Sequence, residues 1–143
     1  MLKKAIILVI SLNLLSACAA QPSQPANELT VEMTDFAYNP SALTIPAGQP
    51  VTLMVDNTGN IEHDFVVEKI DVTTEVIQDN SSNAHHAHGE EENYDLHVSA
   101  RPGEASILQL TVTEPGTYKV FCSVEGHEEA GMIGKLVVLP AQD

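Results

Sequence analysis

From Glu28 onward the chain is cut into short segments by glycine, proline and asparagine. Nowhere in that stretch do apolar residues recur at the spacing of an amphipathic helix. Leu29, Val31 and Met33 alternate with polar residues. Ala42-Leu43-Thr44-Ile45 ends at the turn signal Pro46-Ala47-Gly48, and Val51 to Val55 ends at Asp56-Asn57-Thr58-Gly59. Phe65-Val66-Val67, Ser106 to Val112, Thr117 to Cys122 and Lys135 to Leu139 continue the series. Side chains of a strand point alternately to its two faces. Segments of this length, separated by turns, therefore predict an all-β sandwich of about seven to eight strands. Pro102-Gly103 and Gly116-Thr117-Tyr118 stand where hairpin connections belong. With no tryptophan, three Phe and three Tyr, the core must be filled mainly by Val, Leu and Ile.

The 143 residues suit one domain with its own core. Six basic against twenty acidic residues give a net charge of −14. Such a surface repels nucleic acid and anionic lipid headgroups. It suits a basic partner, or serves solubility alone.

The first residues are of another kind. Lys3 and Lys4 precede an apolar stretch from Ala5 to Leu15, too short to span a bilayer and the right length for the centre of a signal peptide. It runs into Leu15-Ser16-Ala17-Cys18, which resembles the box of bacterial lipoprotein signals, where small residues precede a cysteine that becomes the lipidated N-terminus. On this reading residues 1–17 are removed and Cys18 carries the lipid. The competing reading is an ordinary signal peptide cut near Ala20, with Cys18 discarded; the four-residue box favours the first. Residues 18–27 are small, polar and without periodicity, a flexible tether, and 28–143 form the folded domain. The protein is then exported to the cell envelope, in the periplasm, and lipid-anchored to the membrane on its extracytoplasmic side.

Residues 70–97 interrupt the strand rhythm, turning Ser/Asn-rich, then His-rich, then acidic. An exposed loop is expected at about residues 78–93. His85, His86 and His88 within it form either an auxiliary copper or zinc site or a solvated stretch that binds metal only adventitiously; the second reading is favoured. His97, in the alternating run Leu96-His97-Val98, is expected on a strand, facing solvent or acting as a hydrogen-bond partner.

The chemistry concentrates in the segment from Cys122 to Met132, Cys-Ser-Val-Glu-Gly-His-Glu-Glu-Ala-Gly-Met. It joins two strand-like runs, so one tight loop presents the thiolate of Cys122, the imidazole of His127 and the thioether of Met132 together. A second imidazole, His63, follows the turn at Asn57 to Asn60 and precedes Phe65-Val66-Val67. Two His and one Cys in a plane, with a weak axial Met, is the ligand set of blue-copper electron-transfer sites. Soft sulfur stabilises Cu(I) and imidazole stabilises Cu(II), so a mixed set held rigidly serves both states with little rearrangement. If Cys18 is lipidated, Cys122 is the remaining thiol and has no disulfide partner within the chain. In an exported protein a bare thiol is a liability, whereas a copper-bound thiolate is not. A buried structural cysteine beside an incidental His and Met is the weaker alternative.

With these residues in place the sequence resembles the cupredoxins, the family of plastocyanin, azurin and auracyanin. The resemblance runs from about Glu28 to Leu139 apart from the loop, and is strongest in VDNTGNIEHDF around His63 and GTYKVFCSVEGHEEAGMIGKLVVL around the other three residues. The four-residue gap between Cys122 and His127 is similar to azurin and auracyanin, and that between His127 and Met132 to auracyanin and plastocyanin. The resemblance implies a Greek-key β-sandwich of eight strands, one type 1 copper ion near one end, and His127 closest to solvent. Asp64 follows the first ligand where the family often has Asn. A carboxylate tying the two ligand loops together there would add negative charge near copper and lower its potential. Val124 stands where plastocyanin has Pro, and its N–H is free to reach the Cys122 sulfur, which would raise the potential. The azurin-type disulfide is impossible in this chain.

The leading functional reading is an electron carrier cycling Cu(I)/Cu(II) between membrane or envelope redox partners. Glu125, Glu128 and Glu129, beside His127, point to partners with a basic docking surface, such as a cytochrome or membrane complex. No small-molecule substrate and no catalytic residue are expected, and the chain is read as not an enzyme. The alternative is copper delivery or storage in the envelope, using the His-rich loop.

Overall fold

The computed structural model describes residues 26–81 and 94–141. Among these residues, ten strands fall in two five-stranded sheets packed face to face. The first sheet contains β1 (Glu28–Thr34), β2 (Ala37–Asn39), β4 (Val51–Asn57), β6 (Val72–Gln78) and β8 (Ala105–Val112), in the order β2-β1-β4-β8-β6. The second contains β3 (Ala42–Pro46), β5 (His63–Val67), β7 (Leu96–Ala100), β9 (Gly116–Phe121) and β10 (Ile133–Leu139), in the order β3-β10-β9-β5-β7. β1 with β4 and β3 with β10 pair in parallel, and the other strand pairs are antiparallel. Parallel neighbours cannot be joined by a hairpin, so the chain must pass between the sheets to form them.

The expected alternation becomes the core. β4 turns Val51, Leu53 and Val55 inward, β8 turns Leu108, Leu110 and Val112 inward, and β10 contributes Leu136 and Val138. Each such side chain, fully buried, stabilises the fold by about 1.5–3 kcal/mol. β5 departs from the rule, since all five of its residues are buried. It lies between β9 and β7, and its outward-facing Asp64 and Val66 are covered by neighbouring side chains.

Ten strands, rather than seven or eight, result from elements with a weak sequence pattern. β2 has three residues, too few to alternate. Among the described residues β6 is an edge strand paired only with β8; none of its residues is buried, so nothing selected a period of two. Of the segment 78–93, only residues 78–81 are described. Gln78 ends β6, and Asn80 bridges to Ala100 and takes Ser106 Oγ as acceptor for its amide at 2.9 Å. His85, His86 and His88, like Cys18, lie outside the described residues.

Candidate metal centre

The register of β9 and β10 builds the site. Ile133 stands opposite Phe121, so Cys122 leaves β9 where Met132 enters β10, and the Cys122 amide donates to the Met132 carbonyl at 3.3 Å. The loop between them is knitted by its own backbone. His127 N donates to Val124 O at 3.0 Å, Ala130 N to Gly126 O at 3.0 Å, and Met132 N to His127 O at 3.0 Å. Gly131, with φ of +102°, makes the left-handed turn that brings Met132 back into the core. His63 opens β5, which touches β9 through Val66 and Phe121.

The start of β5 and the β9–β10 loop bring His63, Cys122 and His127 together with their donor atoms all within 4.8 Å of one another. Nδ1 of His63 is 3.2 Å from Nδ1 of His127, and Cys122 Sγ is 3.3 Å from Nδ1 of His127. Two imidazole nitrogens each about 2.0 Å from one ion lie a little over 3 Å apart, so this spacing fits a single metal ion. Met132 is wholly buried in the core beside the same loop. His127, at 5% exposure, is the most exposed of the four. Softness of the donor set, thiolate and thioether with two imidazoles, fits copper.

Burial keeps His63 below the usual imidazole range, against the opposing pull of Asp35, so His63 is neutral at physiological pH and its lone pair is free to bind. Burial pushes the Cys122 thiol up, while the backbone N–H groups of Asp64 and Val124 pull it down. A bound cation would decide this contest, because a coordinating thiol is deprotonated outright.

Asp64 links the pieces. As the strand neighbour of His63 it points to the opposite face, where Oδ2 accepts from Ser123 Oγ at 2.5 Å and Oδ1 from Ser99 Oγ at 2.6 Å. Its amide donates to Cys122 Sγ at 3.3 Å, and its carbonyl accepts from the buried Tyr38 hydroxyl at 2.5 Å. Burial raises the Asp64 carboxyl, but hydrogen bonds from His97, Ser123 and Ser99 outweigh that and hold it below the ordinary range. His97 is a half-buried member of β7, with Nε2 3.2 Å from Ser99 Oγ and 3.6 Å from Asp64 Oδ2. Val124 packs against the edge of the core.

Three contributors escaped the sequence reading. Asn57, buried at the end of β4, donates through Nδ2 to Ile61 O and Ala100 O, each at 2.8 Å, and accepts from Gly59 N at 2.9 Å. It thereby shapes the turn that delivers His63. Asp35 and Phe36 form the β1–β2 turn; Phe36, at φ +65°, lays its exposed ring edge-on to His127 with centroids 5.1 Å apart. An aromatic residue in a two-residue turn was the available signal, but its target lies 91 positions away in sequence, from Phe36 to His127.

A two-sheet β-sandwich with a buried His-Cys-His cluster at one end defines the class of copper-binding cupredoxin folds. The Cupredoxin-like domain family model matches residues 5–100, and the chain belongs to that family. That match includes His63 and stops short of Cys122, so the donor geometry is an independent observation. Among curated relatives, the plastocyanin of Sambucus nigra is 31% identical over 103 residues, covering 72% of this chain and 88% of that protein. The copper-resistant cuproprotein CopI of Rubrivivax gelatinosus is 28% identical over 109 residues, covering 76% of this chain but only 64% of that longer protein. The reduced auracyanin structure from Roseiflexus castenholzii superposes with a TM-score of 0.61 at 22% identity, over 82% of this chain and all of that one, a likeness of fold.

Proposed function

We propose that this domain would hold one copper ion through His63, Cys122 and His127, with Met132 as a weaker fourth donor, and that it carries single electrons between redox proteins. The carrying observation is that three buried donors, one opening β5 and two in the β9–β10 loop, already stand within 4.8 Å of one another. Copper supplies a one-electron couple in which thiolate and thioether favour Cu(I) and imidazole favours Cu(II). The residues supply rigidity: the loop is tied by its own backbone and Asp64 clamps it to β5 through Ser123, so the donors are held in one arrangement for both states. His127 and the ring of Phe36 form the surface from which an electron leaves. Glu125 and Glu129 are exposed beside it, while Glu128 is paired with Lys119, so partners with a basic surface are favoured. This role needs no substrate pocket, and we read the protein as a carrier rather than an enzyme. We place it outside the cytoplasm, tethered by lipid at Cys18; mass spectrometry of the mature N-terminus tests that placement, and a mature chain starting after Ala20 would overturn it. The test of the copper assignment is the optical and EPR spectrum of the copper-loaded, oxidised protein, expected to show an intense visible thiolate-to-copper band.

A second reading, copper delivery or storage, is favoured by the relatives named for copper resistance in Rubrivivax gelatinosus and Pseudomonas aeruginosa. Exchange separates the two. A carrier retains its copper through repeated oxidation and reduction in the presence of a competing chelator, whereas a donor loses it on reduction.

A further inference from the structure

Among the described residues, Nε2 of His63 is the buried side-chain nitrogen or oxygen left without a hydrogen bond. Its other ring nitrogen, Nδ1, faces the remaining donors. A metal taken by the Nδ1 lone pair leaves the proton on Nε2, and that N–H needs an acceptor. The group standing before it is the carboxylate of Asp35, with Oδ1 3.5 Å away.

Asp35 arrives from the other sheet, in the turn between β1 and β2. The parallel pairing of β1 with β4 sets Met33 beside Asn57, and Thr58 N donates to Met33 O at 2.9 Å, so the turn hangs over the segment leading into His63. There the carboxylate is gripped on both oxygens: Oδ1 accepts from Asn60 N at 2.9 Å and Oδ2 from Asn60 Nδ2 at 2.7 Å. Gly59 leaves the space open. A Cβ at this position would lie 2.7 Å from Asp35 Oδ1 and 2.9 Å from His63 Nε2, wedged between the two groups. A fixed carboxylate, a glycine gap and a buried N–H without another acceptor converge on one point.

We propose that Asp35 is the positioning residue for His63, accepting the Nε2 hydrogen bond, fixing the tautomer and ring orientation, and strengthening Nδ1 as a donor to the oxidised metal. A carboxylate behind a ligating imidazole raises its basicity. Greater donor strength stabilises Cu(II) over Cu(I), so Asp35 lowers the reduction potential. The redox half of this inference rests on the copper reading; the tautomer half does not.

Asp35→Asn keeps the shape and an oxygen for the Asn60 amide while removing the charge. In metal-free protein at neutral pH, long-range nitrogen–proton NMR is expected to show His63 as the Nε2–H tautomer in the wild type and as mixed tautomers in the variant. In copper-loaded protein the visible band should persist, Cu(II) affinity should fall about 10- to 100-fold, and Cu(I) affinity should fall less. Each tenfold difference between the two raises the potential by about 59 mV. Asn60→Ala, which loosens the carboxylate without removing it, should shift tautomer and potential in the same direction by less. Unchanged tautomer and potential in Asp35→Asn, with the band intact, would overturn the role of Asp35 and leave the copper reading standing. A wild type with no visible band but an Asp35-dependent tautomer would sink the copper reading and keep the orientation of His63 by Asp35.

Discussion

The two ends of the sandwich treat polar side chains in opposite ways. The buried polar residues Asn57, His63, Asp64, Ser99, Ser106 and His127 gather at the end where the donor loop lies. At the other end, Lys69, Asp71, Asp95, Glu114 and Tyr118 border an open cleft. Their contacts there, such as Thr113 Oγ1 to Asp71 Oδ2 at 2.5 Å and Lys69 Nζ to Asp95 Oδ1 at 3.5 Å, are exposed. A buried polar group costs about 1–3 kcal/mol when unpaired, while an exposed pair contributes about 0–1 kcal/mol. The fold bears that risk only where a side chain must keep one position. Ser106 illustrates it: its hydroxyl donates to Ser99 O at 2.6 Å and accepts from Asn80 N at 2.9 Å, fixing the strand whose Ser99 in turn holds Asp64.

If the buried end exists to present a metal centre, the largest effect comes from its most covalent donor. Cys122→Ser should abolish the visible band of the copper-loaded protein; an unchanged spectrum would remove the functional meaning of the comparison.

Stability should divide the same way. Asn57→Ala leaves Ile61 O and Ala100 O without their donor and should cost about 2–4 kcal/mol in denaturant unfolding of the metal-free protein. Thr113→Val at the exposed end should stay within about 0.5 kcal/mol. Equal losses would show that burial does not distinguish the ends.

Met132→Leu keeps the buried volume nearly constant, so copper and colour should survive while the potential rises, since thioether donation to Cu(II) is lost. Loss of all copper would mean that Met132 is more than a weak donor.

Acid unfolding sharpens the contrast further. Asp64 is held below its ordinary value of 3.8, so its contribution to stability is fully present above that pH and disappears as pH falls through the lowered folded value. In metal-free protein, Asp64→Asn should therefore flatten the acid limb below about pH 4. An acid limb of unaltered steepness would show that the Ser99, Ser123 and His97 contacts do not favour the charged form.

The smallest effect concerns the rim. Replacing Glu125, Glu128 and Glu129 with glutamine should leave the spectrum nearly unchanged, slow electron transfer to a basic partner and weaken its salt dependence, because screening at physiological salt acts within about 8 Å. Rates indifferent to both would reduce these carboxylates to solvated surface, leaving Phe36, Ala130 and Gly131 as the contact.

The strands with one buried face were legible in the sequence because burial imposes a period of two, as Val51, Leu53 and Val55 show. β6 was not, because it has no buried face, and three-residue β2 was too short to alternate. The same contrast holds in the centre. Cys122, His127 and Met132 occupy one loop whose spacing is written in consecutive residues, and His63 follows a turn that is equally local. These candidate donors and the sandwich class were legible in the sequence itself. Only the tertiary structure decided what stands behind them. Asp35 reaches His63 because β1 pairs in parallel with β4, Phe36 reaches His127 across the sheets, and Asp64 meets Ser99 and Ser123 through the register of β5 with β7 and β9. Local pattern records which face of a strand is buried. It carries no mark of which distant side chain will fill the last hydrogen bond, because that pairing arises from strand order and register.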